Sequence, residues 1–354
     1  MAFSSITNDS GVKTDLTPFS RIEQTGNTVV SQRKIMAKAT NLWKQQLSND
    51  TRDFWIDYQI KRINKCSQLQ FCKEAYSRYH PVILTGMIDH WPALQKWNEQ
   101  YFSNTLKEKK ISVNLTLEGM ADSIQLLDYE NKLQEYFLYP ADVHMTIHEF
   151  FELLFKYYPN KGPGTIIPYL SQQNDNLRKE FPELMKDIDM NFPLAEIFDS
   201  PEPEAVNLWI GDERSISSIH KDHFENFYFV VSGEKAFTLF PPTDAAYFPE
   251  NPYPTLKYKP VYENNEIINL ELTKENCPTE SLSWISIDPN DYLEDGDYDY
   301  EGCPWPDRKY ANPLTVTVKA GEILYIPAMW YHRVSQNELT VAVNMWYDQR
   351  FDFR

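Results

Sequence analysis

Paired cysteines are missing from this chain. Its four cysteines, Cys66, Cys72, Cys277 and Cys303, include no CxxC pair, which argues against a zinc finger, and they are too few for a disulfide framework. Such sparing use of cysteine points to a reducing compartment. Long apolar runs are missing as well. None reaches the length that crosses a bilayer, and the opening MAFSSITNDSGVK lacks the apolar core of a signal peptide. The expected setting is therefore the cytoplasm, with the nucleus as a second compartment, and no membrane partner. Positive charge is also short: 34 basic residues stand against 51 acidic ones, a formal charge of -17. A surface that acidic repels phosphate backbones, so no nucleic-acid partner is expected, whereas a basic peptide is favoured. No internal repeat is evident.

What is present suffices for a large core. Of 354 residues 42% are hydrophobic and 14% aromatic, enough for one large domain or two modest ones. Residues 1–30 are polar, carry little apolar periodicity and are expected to form a flexible tail. Across 31–64 the pattern turns helical, with Ile35, Leu42 and Trp43 at helical spacing and a second helix expected through DFWIDYQIKRI. Residues 65–200 read as a mixed α/β part: a strand at Val82 to Leu84, a short helix started by Trp91-Pro92, a strand in KISVNLTLEG and a helix over 145–158.

From about 201 to 354 the chain consists of short strands separated by Gly, Pro and Asn, with turns at Ser232-Gly233 and Ala320-Gly321. Many short strands of this kind suggest a barrel or two-sheet jelly roll. The acidic stretch 288–302, DPNDYLEDGDYDYEG, reads as a solvated insertion.

Within SSIHKDHFENFYFVVSGEKAF (217–237) a polar cluster precedes an apolar run. Residues two apart on a strand share a face, so His220 and Asp222 present an imidazole and a carboxylate side by side. His332 follows a proline-marked turn and is flanked by aromatics. Two histidines and a carboxylate with open positions form the facial triad of non-haem Fe(II) oxygenases; zinc takes the same ligands but prefers four-coordinate sites. Lys235 shares a strand face with Phe237 and Leu239, and a buried lysine without a partner is costly. A dicarboxylic acid in the barrel would satisfy it, with its near carboxylate on the metal. Asn226 and Tyr228 share a parity and are placed to line the same cavity. The pair His144 and His148 has helical metal-ligand spacing but no evident third ligand and reads as a solvated face. His80 and His90 read as structural, and His223 either as a group supporting the metal ligands or as a core or rim residue.

The segments HWPALQKW (90–97), NLWIGD (207–212), the 217–237 stretch, SWISIDP (283–289), AGEILYIPAMWYHRV (320–334) and VAVNMWYD (341–348) resemble JmjC-domain proteins, and more narrowly the jumonji-domain-containing protein seven family. The resemblance runs from about Cys66 to the C-terminus. It implies a mainly β fold, a double-stranded β-helix of the cupin jelly-roll kind with flanking helices and a helical N-terminal region. It further implies His220, Asp222 and His332 as ligands of Fe(II), with 2-oxoglutarate and O2 as cosubstrates. Lys235 is implied as partner of the far 2-oxoglutarate carboxylate, with Ser217, where relatives commonly have Thr, donating to the same group. Tyr169, Asn226, Tyr228 and Asn344 match other cosubstrate positions, and Trp346 is expected to pack beside them. Phe224 departs from the pattern by lacking a hydroxyl.

The activity implied is (3S)-lysyl hydroxylation of a protein, a translation-related GTPase of the developmentally regulated GTP-binding class. The alternatives are a JmjC protein acting on histone tails, as demethylase or endopeptidase, and a non-catalytic metal-binding cupin. Cysteine-rich fingers, which usually accompany chromatin demethylases, are not expected here. Any homodimer is expected to use the helical N-terminal part.

Overall fold

From Ala205 onward, runs rich in β-branched and aromatic residues form strands, as their propensities require. The computed structural model describes residues 26–156, 158–160, 162, 164–293 and 305–349. Before residue 200 its strands are β1 (Lys61–Asn64), β2 (Val82–Thr85), β3 (Lys110–Leu117), β4 (Met120–Ala121), β5 (Ser123–Tyr129), β6 (Lys132–Tyr139), β7 (Ala141–Thr146) and β8 (Ile166–Tyr169). There follow β9 (Ala205–Gly211), β10 (Ile216–Lys221), β11 (Glu225–Ser232), β12 (Glu234–Phe240), β13 (Asn251–Glu263), β14 (Glu266–Thr273) and β15 (Ser281–Trp284). The last four are β16 (Leu314–Lys319), β17 (Ile323–Ile326), β18 (Tyr331–Gln336) and β19 (Thr340–Tyr347).

β9 to β12 and β16 to β19 wind into two sheets, the chain crossing from one to the other at nearly every step. One sheet has the order β1-β2-β17-β11-β19-β9 and the other β16-β12-β18-β10-β4. This is the double-stranded β-helix, a jelly roll of the cupin type. β13, β14 and β15 interrupt it and join β5 and β6 in a separate sheet, while β7, β3 and β8 form another.

Alternation along the strands sorts the side chains into layers. Phe227, Phe229, Val341, Val343, Met345 and Tyr347 belong to the large core cluster that includes Phe71, Trp91 and Phe102. Tyr228, Val230 and Ala342 belong instead to a second cluster with Trp209, Phe237, Leu239 and Trp330. The central strands β9, β11 and β19 are thus buried on both faces, and their asparagines Asn207, Asn226 and Asn344 lie on the face of the second cluster.

Several local expectations hold. The helix expected over 145–158 is Ile147–Lys156. It starts there because Thr146 and Glu149 form a capping box: Glu149 N donates to Thr146 Oγ1 at 3.2 Å and Thr146 N to Glu149 Oε2 at 2.6 Å. Among the described residues no helix is long and apolar enough to cross a membrane.

Others need correction. A helix spans Gly26–Asp50, beginning inside the stretch read as a tail; residues 1–25 lie outside the described ones. The second helix expected through 53–63 does not form. A single π-helical turn, Thr51–Trp55, follows, and then Lys61–Asn64 becomes β1, pairing in parallel with β2. Trp55 packs against His80 and Trp330, with ring centroids 5.9 and 6.0 Å away, which stops the helix, and the open edge of β2 supplies hydrogen bonds that favour a strand. Of the acidic stretch 288–302, residues 294–302 lie outside the described ones. Its beginning is tied down, since Arg333 Nε donates to Asp288 Oδ1 at 2.6 Å.

Gly119 turns the chain between β3 and β4 at a φ of +83°, and a Cβ there would lie 1.9 Å from the Arg214 carbonyl oxygen. Ile216 N, at the start of β10, donates to Gly119 O at 2.9 Å. Gly119→Ala is therefore expected to destabilise the protein by at least about 1–3 kcal/mol from backbone strain alone. A melting curve that matches wild type would contradict this.

Candidate metal centre

β10 and β18 are antiparallel neighbours, and His220 and His332 are direct cross-strand partners in their register. Side chains opposite one another on a shared face lie close, and the two imidazole centroids are 4.2 Å apart. Asp222 follows at the end of β10, its Oδ2 3.5 Å from His332 Nε2. The ligand atoms of the three residues lie within 4.8 Å of one another, the single trio of this kind among the described residues.

Hydrogen bonds turn both rings the same way. His220 Nδ1 meets Ser218 O at 2.7 Å and His332 Nδ1 meets Trp330 O at 3.0 Å. A carbonyl oxygen accepts only from a protonated nitrogen, so each ring carries its proton on Nδ1 and leaves the Nε2 lone pair for the centre. Burial first, and the neighbouring His332 second, press His220 down to about 4, so its ring is neutral near pH 7. Burial raises Asp222, but the closeness of His332 and His220 outweighs it and holds the carboxyl below its ordinary range. Two neutral nitrogens and one anionic oxygen converge, with no protein donor between them. That donor set fits a divalent cation and matches the two-histidine, one-carboxylate facial arrangement.

A cavity of about 390 Å³ opens beside these ligands, with Tyr169, Trp209, Ser217, Ser218, His220, Asp222 and Trp284 among its lining. Ser217 and His220 differ in strand parity, yet both reach it. The register between β10 and β18 shifts between them, a bulge that re-aims the side chains.

Lys235 is fully buried, 0% exposed. Its Nζ donates to Tyr169 Oη at 3.2 Å and to Gln336 Oε1, and it lies 5.6 and 5.5 Å from the centres of the Tyr169 and Tyr228 rings. No carboxylate meets it among the described residues. Burial alone lowers its ammonium to about 7. Lys235 stands just behind the cavity wall, with the Tyr169 hydroxyl between them. Burial also pushes the Tyr169 phenol far up, with a hydrogen bond to Ser217 opposing, so it remains a donor. A buried cation surrounded only by neutral groups is what a carboxylate in the cavity would complete. Lys235 thus faces inward, and the residues fit both a metal ion and an acidic cosubstrate.

The remaining expected positions form one network. Asn344 pairs across the strands with Asn207 and with Tyr228, and Trp346 with Asn226. Asn344 Oδ1 accepts from Trp209 Nε1 at 2.8 Å and from Asn207 Nδ2 at 3.2 Å, and its Nδ2 donates to Asn226 Oδ1 at 3.4 Å. Trp346 stacks on Phe224, centroids 5.3 Å apart, and its buried indole N–H has no partner among the described residues. Asn226, Tyr228, Lys235, Asn344 and Trp346 lie beyond the cavity lining rather than on it.

Other histidines stay apart. His80 is buried between Trp55 and Trp330, His148 faces Glu152 at 3.5 Å, and exposed His90 lies 4.0 Å from Asp189. Reading the sequence missed four supporting residues. Ser218 orients His220 through its carbonyl, Trp284 stacks nearly parallel to His220, Gln336 holds Lys235, and Trp209 fixes Asn344. Ser218, Trp209 and Trp284 left a signal, each standing inside a segment that carries the family resemblance, whereas Gln336 lies outside them.

Comparison with known proteins agrees with this architecture. The family described as "Cupin-like domain" matches residues 67–353. JmjC domain-containing protein E of Dictyostelium discoideum is 33% identical over 317 residues, covering 86% of this chain and 88% of its own. Bifunctional peptidase and (3S)-lysyl hydroxylase JMJD7 of Homo sapiens is 33% identical over 286 residues, 81% and 83% of the two chains. Lysine-specific demethylase JMJ32 of Arabidopsis thaliana is 35% identical over 332 residues, 89% and 87%.

An acidic ligand beside Lys235 must raise that lysine from about 7. Below this pH the ammonium is already formed, and affinity for 2-oxoglutarate should be flat. Above it binding takes up a proton, and affinity should fall about tenfold per pH unit until the bound-state value is passed. Calorimetric titration of the Mn(II)-loaded protein, in buffers of different ionisation enthalpy, measures both effects. Lys235→Met should bind at least about tenfold more weakly and lose the pH dependence.

Proposed function

Because the chain belongs to the cupin-like JmjC-domain family, we propose that it is an Fe(II)- and 2-oxoglutarate-dependent protein oxygenase. More narrowly, we propose a (3S)-lysyl hydroxylase acting on a GTPase of the developmentally regulated GTP-binding class. The observation that carries the oxygenase reading is the pairing of two incomplete sites around one cavity. A three-ligand centre turns its lone pairs to one point, as a cation requires, and the amine of fully buried Lys235 meets only the neutral Tyr169 and Gln336 among the described residues, as a carboxylate requires. A metal cupin with another chemistry would account for the first and leave Lys235 unexplained.

In this reading His220, Asp222 and His332 hold Fe(II). Ser217, Tyr169 and Lys235 take the far carboxylate of 2-oxoglutarate, while the asparagine network, through Trp209, backs the cavity wall from behind. When bound, Fe(II) with 2-oxoglutarate and O2 supplies oxidation of an unactivated C–H bond, with succinate and CO2 as coproducts. The chain's own part is to fix both groups, exclude water and hold the target carbon in place. The choice of lysyl hydroxylation is supported by the name of the Homo sapiens relative. The acidic net charge favours a lysine-bearing partner. The Arabidopsis relative's name supports a second reading, lysine demethylation at the same centre.

Turnover with Fe(II), 2-oxoglutarate and a lysine peptide from such a GTPase separates these readings by product mass. Hydroxylation adds one oxygen, demethylation of a methylated peptide removes a methyl group, and proteolysis cuts the chain. The expected result is the gain of one oxygen with matching succinate, both reduced at least about a thousandfold in Asp222→Ala. Succinate without peptide oxidation would remove the proposed substrate and leave the oxygenase. No succinate from iron-loaded protein would remove both.

A further inference from the structure

The cavity beside the metal centre carries one charge that nothing answers. Its ionisable lining residues include Asp122, Asp142, Lys221 and Lys257 besides His220 and Asp222 of the centre. Asp142 is saturated: Lys257 pairs with it, and Asn114 Nδ2 and Gln172 Nε2 each donate to its Oδ1 at 2.8 Å. Lys221 pairs with Glu250 and donates to Tyr331 Oη at 3.1 Å. Asp222 faces the two histidines. Asp122 remains, and among the described residues no donor meets its carboxylate.

The placement of Asp122 is specific. It joins β4 to β5 with a left-handed backbone, φ +51°, and Ser218 Oγ donates to its carbonyl oxygen at 2.5 Å. Ser218 is also the residue whose own carbonyl orients His220, and its Oγ accepts from Trp284 Nε1 at 3.1 Å. One residue therefore ties together a metal ligand, an aromatic wall and the Asp122 turn. Burial first, and Asp142 second, push the Asp122 carboxyl up to about 6, so it is still ionised at neutral pH. A half-buried carboxylate that lines the cavity and meets no donor among the described residues suits a cation.

We propose that Asp122 is the specificity residue that receives the side-chain ammonium of the substrate lysine while the carbon to be oxidised faces the metal centre. This rests on the lysyl-hydroxylase reading and adds the group that selects the side chain. A lysine is a point charge on a flexible four-carbon stem. The cavity offers the complement: an acidic end at Asp122, aromatic walls in Tyr139 and Trp284, and the reacting end at His220 and Asp222.

The test is a binding cycle that needs no turnover. A lysine peptide from the candidate GTPase and its norleucine counterpart, which keeps the stem and lacks the charge, are titrated onto protein loaded with Mn(II) and 2-oxoglutarate. Wild type should prefer lysine by about tenfold to a hundredfold, the strength of a hydrogen bond to a charged group. Asp122→Asn should lose that preference, because Asn adopts the left-handed backbone as Asp does. Asp122→Gly, also at ease at this φ, should behave alike. Unchanged 2-oxoglutarate affinity shows that both variants are folded. Equal binding of the two peptides by wild type, or a lysine preference that survives in both variants, overturns the proposal. Because binding is read without chemistry, failed hydroxylation in the turnover assay would not mask this result.

Discussion

Two histidines far apart in the chain meet because β10 and β18 pair in one register, with His220 directly opposite His332. A slip of one residue would turn one imidazole to the opposite face. Much of the molecule serves to prevent that slip. β18 is clamped on its other side by β12, in the register that sets Lys235 opposite Gln336. The metal centre and the lysine are therefore two points on one three-strand ladder, and any change in the spacing of one moves the other.

That ladder also explains why the polar groups can be buried. A charged or polar group inside a β-barrel is tolerated only when hydrogen-bonded or paired. The asparagines of β9, β11 and β19 satisfy one another and Trp209, and both histidine Nδ1 atoms are satisfied by backbone carbonyls two residues away. At the cavity and its near wall three groups still ask for a partner of opposite character: the Nε2 lone pairs with Asp222, the amine of Lys235 and the carboxylate of Asp122. Two sites call for a cation and one for an anion. Their chemistry defines the ligands before any ligand is present.

Much of this was legible in the residues. The period-2 pattern marked the short strands, Gly and Pro marked their turns, and the His-x-Asp spacing placed His220 and Asp222 together. The inward face of Lys235 followed from sharing parity with Phe237 and Leu239. The stretch 53–63 misled because its apolar residues suit a helix, whereas the open edge of β2 and the packing of Trp55 decide its conformation. Ser217 escapes the parity rule because of the bulge before His220 and was found only through family resemblance.

The sequence by itself determined what depends on neighbours along the chain: strand periodicity, turn positions, the capping box of Ile147–Lys156 and the presence of a metal-ligand pair. These are local because side-chain direction repeats every two or 3.6 residues. Tertiary structure alone decided which strands pair, that Ser218 would orient a ligand, that Trp284 would return from the insertion to stack beside His220, and that Asp122 would face the cavity unpaired. Such contacts join residues from distant segments, and no periodic signature records them, because each is set by the packing of whole sheets rather than by the residues beside it.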